Sequence, residues 1–127
     1  MKINSEKNTF SKLFDVSRET LTKLTRYELK IMSFSEKSNI IGKSTIPNIW
    51  KRHFADSAKI LSFITTITKK NMNRKLTICD VGSGAGFPGL VILILNQEKK
   101  LNFHMTLVES NKKKCSFLKD LMKCFKI

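Results

Sequence analysis

Four of the five glycines, Gly82, Gly84, Gly86 and Gly89, fall within eight residues, inside "CDVGSGAGFPG" at 79–89. Ordering a glycine costs more conformational entropy than ordering any other residue. A cluster this dense therefore marks backbone that side chains would forbid, or a close approach that a Cβ would block. The flanks say which kind of chain carries it. "LTICDV" at 76–81 is a short, apolar, β-branched run, the pattern of a buried parallel strand. Phe87 to Gln97 reads as a helix with Pro88 in its first turn. "FHMTLVE" at 103–109 alternates as a second strand, and "NKKKCSFLKDLMKCF" reads as a helix burying Leu118, Leu121, Met122 and Phe125. Strand, glycine loop, helix, strand and helix make a right-handed βαβ unit with one more helix, so the fold class is α/β.

Upstream the periodicity is helical. Phe10, Leu13, Phe14, Leu21, Leu24, Tyr27 and Ile31 recur at spacings of three, four and seven, which fits one or two amphipathic helices. "SEKSNIIGKST" at 35–45 reads as a connection. A further helix then runs through "NIWKRHFADSAKILSFI", with Ser44 or Thr45 near its N-cap and Pro47 in its first turn. It would bury Ile49, Trp50, Phe54, Leu61 and Ile64. "TKKNMNRK" at 68–75 is polar and basic without periodicity. The expected organisation is a helical extension over 1–67, a basic linker over 68–75, and the first βαβα portion of a nucleoside-binding domain over 76–127.

With 127 residues and 41% hydrophobic content, the chain has material for one modest packed domain. The longest apolar run, "LVILIL" at 90–95, is far too short for a bilayer, and Met1 opens a charged segment, so neither a membrane span nor a leader is expected. The three cysteines, Cys79, Cys115 and Cys124, form no CxxC pair. Buried, inert thiols in a reducing cytoplasm are the reading, with no metal. A net charge of +14 points to a polyanionic partner, nucleic acid ahead of membrane. Since nearly all of it is lysine in a chain rich in Asn and Ile, a compositional bias would give the same excess, and the charge is supporting only.

The glycine loop fails two tests. A triphosphate loop requires GxxxxGK[ST]; "GKST" at 42–45 has Lys37 where glycine is needed and no strand before it, and the loop at 82–89 ends in Gly89-Leu90 without a lysine. A hydrolase elbow around Ser83 would need glycine at 81 and 85, where Val81 and Ala85 stand. "GAGFPG" does match the dinucleotide pattern GxGxxG, but the strand here feeds Gly82, and Asp80 stands where a pyrophosphate would be repelled. A cationic cofactor would gain from that carboxylate. Asp80-x-Gly82-x-Gly84-x-Gly86 resembles the first motif of S-adenosylmethionine methyltransferases. Glu109, 23 residues past Gly86, closes the second strand where an acid can accept hydrogen bonds from ribose hydroxyls. Glu109 would serve either nucleoside cofactor; Asp80 distinguishes them.

"DVGSGAGFPG" followed by "LVES", together with "NIIGKSTIPNIWKRHFADS" at 39–57, resembles the bacterial small-subunit ribosomal RNA methyltransferase G family, also called glucose-inhibited division protein B. The resemblance runs from about Tyr27 to the end, with Phe34-Ser35 where the family usually has Trp-Asn. It implies a helical extension followed by the first part of a Rossmann-like class I methyltransferase sheet. It also implies S-adenosylmethionine as cofactor, a guanine N7 of small-subunit ribosomal RNA as substrate, and a monomer when complete. By matching positions, Gly82, Ser83, Gly84, Gly86 and Phe87 would form the cofactor loop. Asp80 would order that loop or meet the methionine end, with capping of a helix as its plainer account, and Glu109 would hold the ribose. Arg52, His53 and Asp56 would line the RNA or cofactor pocket, with a surface Arg–Asp pair and a partly buried His as the plainer account. No general base is expected. The chain ends one helix after Glu109, where a third strand would start, so the expectation is a partial product, or one whose remainder a partner supplies, that binds weakly at best. An NAD-linked oxidoreductase fragment and a non-enzymatic basic RNA-binding module stand as alternatives.

Overall fold

The computed structural model describes residues 2–127, so Met1 of the expected extension lies outside it. Two helices open the chain, α1 (Lys2–Phe14) and α2 (Arg18–Ser35). The break between them is set by Asp15 in a left-handed conformation and by Ser17, whose hydroxyl caps α2 by accepting from the Thr20 amide at 3.1 Å. A 3₁₀ turn (Ile46–Asn48) carries Pro47 near its start, as the spacing requires. Thr45 sits at its N-cap but gives no cap bond; its hydroxyl donates to the Gly42 carbonyl instead. A π-helical turn (Trp50–Phe54) then leads into α3 (Ala55–Lys70). Because α3 runs through Lys70, the connection expected over 68–75 shortens to 71–75.

β1 (Leu76–Val81) and β2 (Phe103–Val108) pair in parallel, Leu76 beside Phe103 and Val81 beside Val108. The crossover is α4 (Gly89–Lys99), and α5 (Lys112–Cys124) follows β2. Pro88 stands at the N-cap of α4 with Phe87 outside it, so this helix starts two residues later than the spacing suggested. Leu90, Val91, Ile92, Ile94 and Leu95 are all buried in α4, a helix apolar all round because it lies between the upstream helices and the sheet. Asn96 ends it cleanly, accepting from the Leu101 amide at 2.7 Å and donating to the Leu101 carbonyl at 3.1 Å.

Among the described residues one apolar cluster runs from Phe10 to Phe125. Leu24, Tyr27 and Ile31 of α2, Phe54 and Ala58, Leu90 to Leu95, and Leu118 and Leu121 of α5 belong to it together. The core reading of Ile49, Trp50, Phe54, Leu61 and Ile64 agrees with the structure, as does that of Phe10, Leu118, Leu121 and Phe125. Leu13 does not: its helical phase suits a core face, yet it is 70% exposed because no element among the described residues covers that side of α1. In α5 Phe117 is buried although the spacing did not single it out, and Met122, expected in the core, is only half-buried.

Two further expectations need correcting. β1 was read as buried on both faces, and the cysteines as buried thiols. Helices cover one face of the two-stranded sheet, so β1 alternates between partly buried and exposed residues. Thr77, Cys79 and Val81 point to the open face; Cys79 is exposed, and Cys115 and Cys124 are half-buried.

Candidate functional site

The site is built at the carboxyl ends of the two strands. Where β1 stops, the amides of Gly82 and Ser83 both donate to the Val108 carbonyl, at 2.8 and 3.0 Å, stitching the loop to the end of β2. Gly82, Gly84 and Gly86 then take positive φ angles of 78°, 54° and 102°, conformations that cost a side-chain-bearing residue most at the last of these. The turn closes on itself through the Gly86 and Phe87 amides, which donate to the Ser83 carbonyl at 2.7 and 3.2 Å. Ser83 is buried, and its hydroxyl donates to the Asp80 carbonyl at 3.0 Å, so it braces the loop from within.

The four glycines divide into two pairs. A Cβ on Gly82 would meet nothing within 4 Å, and one on Gly84 only the Gly82 carbonyl oxygen at 3.9 Å. These two face open space. A Cβ on Gly86 would fall onto the Tyr27 hydroxyl and crowd Leu90, and one on Gly89 would strike Leu107 and the Asp80 carboxylate. Those two are glycine because the backbone of the loop and of α4 is pressed against neighbouring elements. The sequence shows four equivalent letters; the packing shows two roles.

Both acids at the strand ends hold backbone. Asp80 Oδ2 accepts from the Gly89 amide at 3.0 Å, a carboxylate placed at the amino end of α4, where the helix dipole favours negative charge. Glu109 Oε1 accepts from the Gly84 amide and Oε2 from the Asn111 amide, each at 2.9 Å. Hydrogen bonds from the Asn111 and Gly84 amides hold the Glu109 carboxyl below its ordinary value of 4.5. A depressed carboxylate pKa supports the loop above the unfolded value and ceases to do so as pH falls through the folded one. The Gly84 amide resonance is therefore expected to titrate with a midpoint below pH 4.5 and to become flat in Glu109→Gln. A midpoint at or above that value would exclude the bond.

Arg52, His53 and Asp56 come together with Phe87 around a shallow hollow that Ser57, Ile60 and Pro88 complete. The His53 ring stacks on Phe87 with centroids 4.5 Å apart and planes 11° from parallel, and its Nε2 lies 3.1 Å from the Thr45 hydroxyl. Burial lowers the His53 pKa below its usual 6.5, with Asp56 opposing and Arg52 adding to the shift, so the stacked ring is neutral at pH 7. The surface Arg52–Asp56 pair is replaced: Asp56 meets Lys59 at 3.5 Å. Arg52 lies in the π-helical turn and Asp56 in the first turn of α3, so the two do not share one regular α-helical spacing. One contact was missed altogether. Tyr27 donates its hydroxyl to the Ala85 carbonyl of the loop. Tyr27 lies in phase with the apolar face of α2, so periodicity alone reads it as core.

No helix among the described residues is long and apolar enough to cross a membrane, and no three His, Cys, Asp or Glu among them are grouped to hold a metal ion. A parallel βαβ unit with an acid at the end of each strand and an open glycine turn between them defines the chain as part of an α/β, Rossmann-like fold. Residues 20–127 match rRNA small subunit methyltransferase G, and the chain belongs to that family. It is 37% identical over 116 residues to the ribosomal RNA small subunit methyltransferase G of Parvibaculum lavamentivorans, covering 91% of this chain and 48% of the relative. The namesake proteins of Bartonella henselae and Rhodospirillum centenum are 43% and 38% identical over 84% and 88% of this chain, with 46% of each relative covered. The chain thus spans about half the length of the curated relatives it matches. The family is one of methyltransferases, which sets the oxidoreductase alternative aside.

Proposed function

We propose that the chain forms part of an S-adenosylmethionine site serving methyl transfer to N7 of a guanine in small-subunit ribosomal RNA. The observation that carries the cofactor reading is the open space at Gly82 and Gly84, framed by carboxylates at both strand ends. A ligand could lie directly on the backbone there. The donor set fits a nucleoside with a cationic tail. Ionised Glu109 is an acceptor-only group with lone pairs left beyond its two backbone bonds, suited to ribose hydroxyls. Asp80 orders the loop through Gly89 and contributes negative charge near it. When bound, the cofactor supplies a methyl group already activated on positively charged sulfur.

Guanine N7 carries a lone pair and no proton, so the chain needs no general base and its task is alignment and exclusion of water. The neutral His53 stacked on Phe87 gives a flat face beside the loop, and exposed Arg52 is a donor that can hold guanine O6 while the N7 lone pair stays free to take the methyl group. The excess of lysine would hold RNA phosphates in a salt-dependent way.

Calorimetry of S-adenosylmethionine with the purified chain tests the cofactor reading, with NAD as competitor and Gly84→Asn as the variant. Asparagine tolerates the φ of 54° and finds room for its Cβ, so the fold is kept while the side chain fills the open space. Wild-type binding that NAD does not displace, and at least a tenfold loss in Gly84→Asn at nearly unchanged Tm, is expected. Equal competition by NAD, or wild-type affinity in the variant, would overturn the reading.

A further inference from the structure

We infer that Tyr27 is a positioning residue for the glycine loop: from α2 its hydroxyl holds the Ala85–Gly86 peptide in the one orientation that leaves Gly82 and Gly84 open. The peptide unit between Ala85 and Gly86 carries two polar ends, and both are bonded. The Ala85 carbonyl accepts from the Tyr27 hydroxyl, and the Gly86 amide donates to the Ser83 carbonyl at 2.7 Å. A peptide plane tied at both ends cannot flip, and the φ of 102° at Gly86 is fixed with it. Without the hydroxyl the plane is tied at one end only.

Packing alone does not account for a tyrosine here. The ring is fully buried beside Phe54, Phe87 and Phe125, with centroids 5.5, 5.7 and 6.1 Å away, and none of these offers a strong acceptor. Phenylalanine would fill the same space without burying a hydroxyl, which is costly unless bonded. The bond spans 58 residues, from the helical extension to the loop. The same hydroxyl occupies the space that a Cβ on Gly86 would need, so the two residues fit each other as a pair. The extension is thereby part of the loop's architecture and more than a cover for the core.

The effect on the loop stands on this geometry; its consequence for cofactor rests on the proposed function. In Tyr27→Phe the exchange protection of the Gly86 amide is expected to fall about five- to tenfold, the loss of one net hydrogen bond. Protection of the Leu121 amide in α5 should stay as in wild type. S-adenosylmethionine affinity should fall by a similar factor, with a smaller change in Tm than Leu24→Val produces. Unchanged protection at Gly86, or a loss that is equal at Leu121, would overturn the inference. If the wild-type chain binds no cofactor, the proposed function fails while the exchange result still decides the role of Tyr27.

Should Tyr27→Phe not fold, the wild-type chain supplies the decision, since Tyr27 is its one tyrosine. Burial raises the Tyr27 pKa well above 10.0, so phenolate absorbance at 295 nm should rise only together with loss of the circular-dichroism signal. A phenol that ionises near pH 10 in the intact fold would mean that the hydroxyl is not held as described.

Discussion

Gly86→Ala is expected to destabilise the chain by about 3–5 kcal/mol, through backbone strain and overpacking of roughly 1–3 kcal/mol each. The φ of 102° lies outside the left-handed well that asparagine or aspartate can share, so a Cβ is strained there whatever the surroundings. The surroundings are closed as well. The added carbon would overlap the Tyr27 hydroxyl and stand 2.9 Å from the Leu90 Cβ, and neither neighbour is a loose end that can swing aside. Yielding at Tyr27 would break its bond to Ala85, and yielding at Leu90 would shift the first turn of α4. Set against the ~5–15 kcal/mol that holds an ordinary domain together, this is a large fraction. Thermal unfolding followed by circular dichroism should show a Tm lower by about 10 °C or more. Gly82→Ala is the control: with φ of 78° and nothing within 4 Å of its Cβ, it should cost only about 1–2 kcal/mol. Equal costs at the two positions would mean that the packed and open glycines are not distinct.

What the sequence made legible follows the range of the forces involved. Local pattern and turn chemistry are short-ranged, so β1 could be read to the residue at 76–81, and β2 to within one residue at its end. α4 was harder, because Val91, Ile92 and Ile94 suit a strand as well as a helix, and only the need for a crossover between parallel strands decides for the helix. The places of the candidate residues Asp80, Gly82, Gly84 and Glu109 in the fold were legible because each sits next to a strand end, where the chain itself puts it. Their individual partners were not, although ordering of the loop or capping of a helix by Asp80 was among the readings. That Asp80 binds Gly89, or that Glu109 spans Gly84 and Asn111, depends on how α4 and α5 leave the sheet. The exposure of Cys79 and Leu13 was hidden for a related reason: periodicity says which face a residue is on, and only the assembled elements say whether that face is covered. Tyr27 is the extreme case, a long-range polar contact made by a residue with the spacing of a core one.

The difference between phase and cover gives the second large effect. Phe54 and Leu13 both entered the sequence reading as apolar core positions, but Phe54 is fully buried and Leu13 is 70% exposed. Phe54→Ala is expected to cost about 3–5 kcal/mol, the lost transfer energy of the ring together with the cavity it leaves. That cavity cannot close easily. Phe54 lies at the end of the π-helical turn, stacked on Tyr27 at 5.5 Å, edge-on to Trp50 at 4.8 Å and to Phe87 at 5.8 Å. Each of those rings has another commitment: Tyr27 to Ala85, Trp50 through its indole N–H to Glu28 at 2.9 Å, and Phe87 to His53. Relaxing inward would break a hydrogen bond or a stack, so the site stays near the upper end of the range. Leu13→Ala should change stability by less than about 0.5 kcal/mol. Urea unfolding of the two variants measures both quantities, and a comparable loss for Leu13→Ala would show that α1 is covered on a side where the structure leaves it open. Because Phe54 backs both Tyr27 and Phe87, its loss should also loosen the glycine loop, lowering protection of the Gly86 amide before the chain as a whole unfolds.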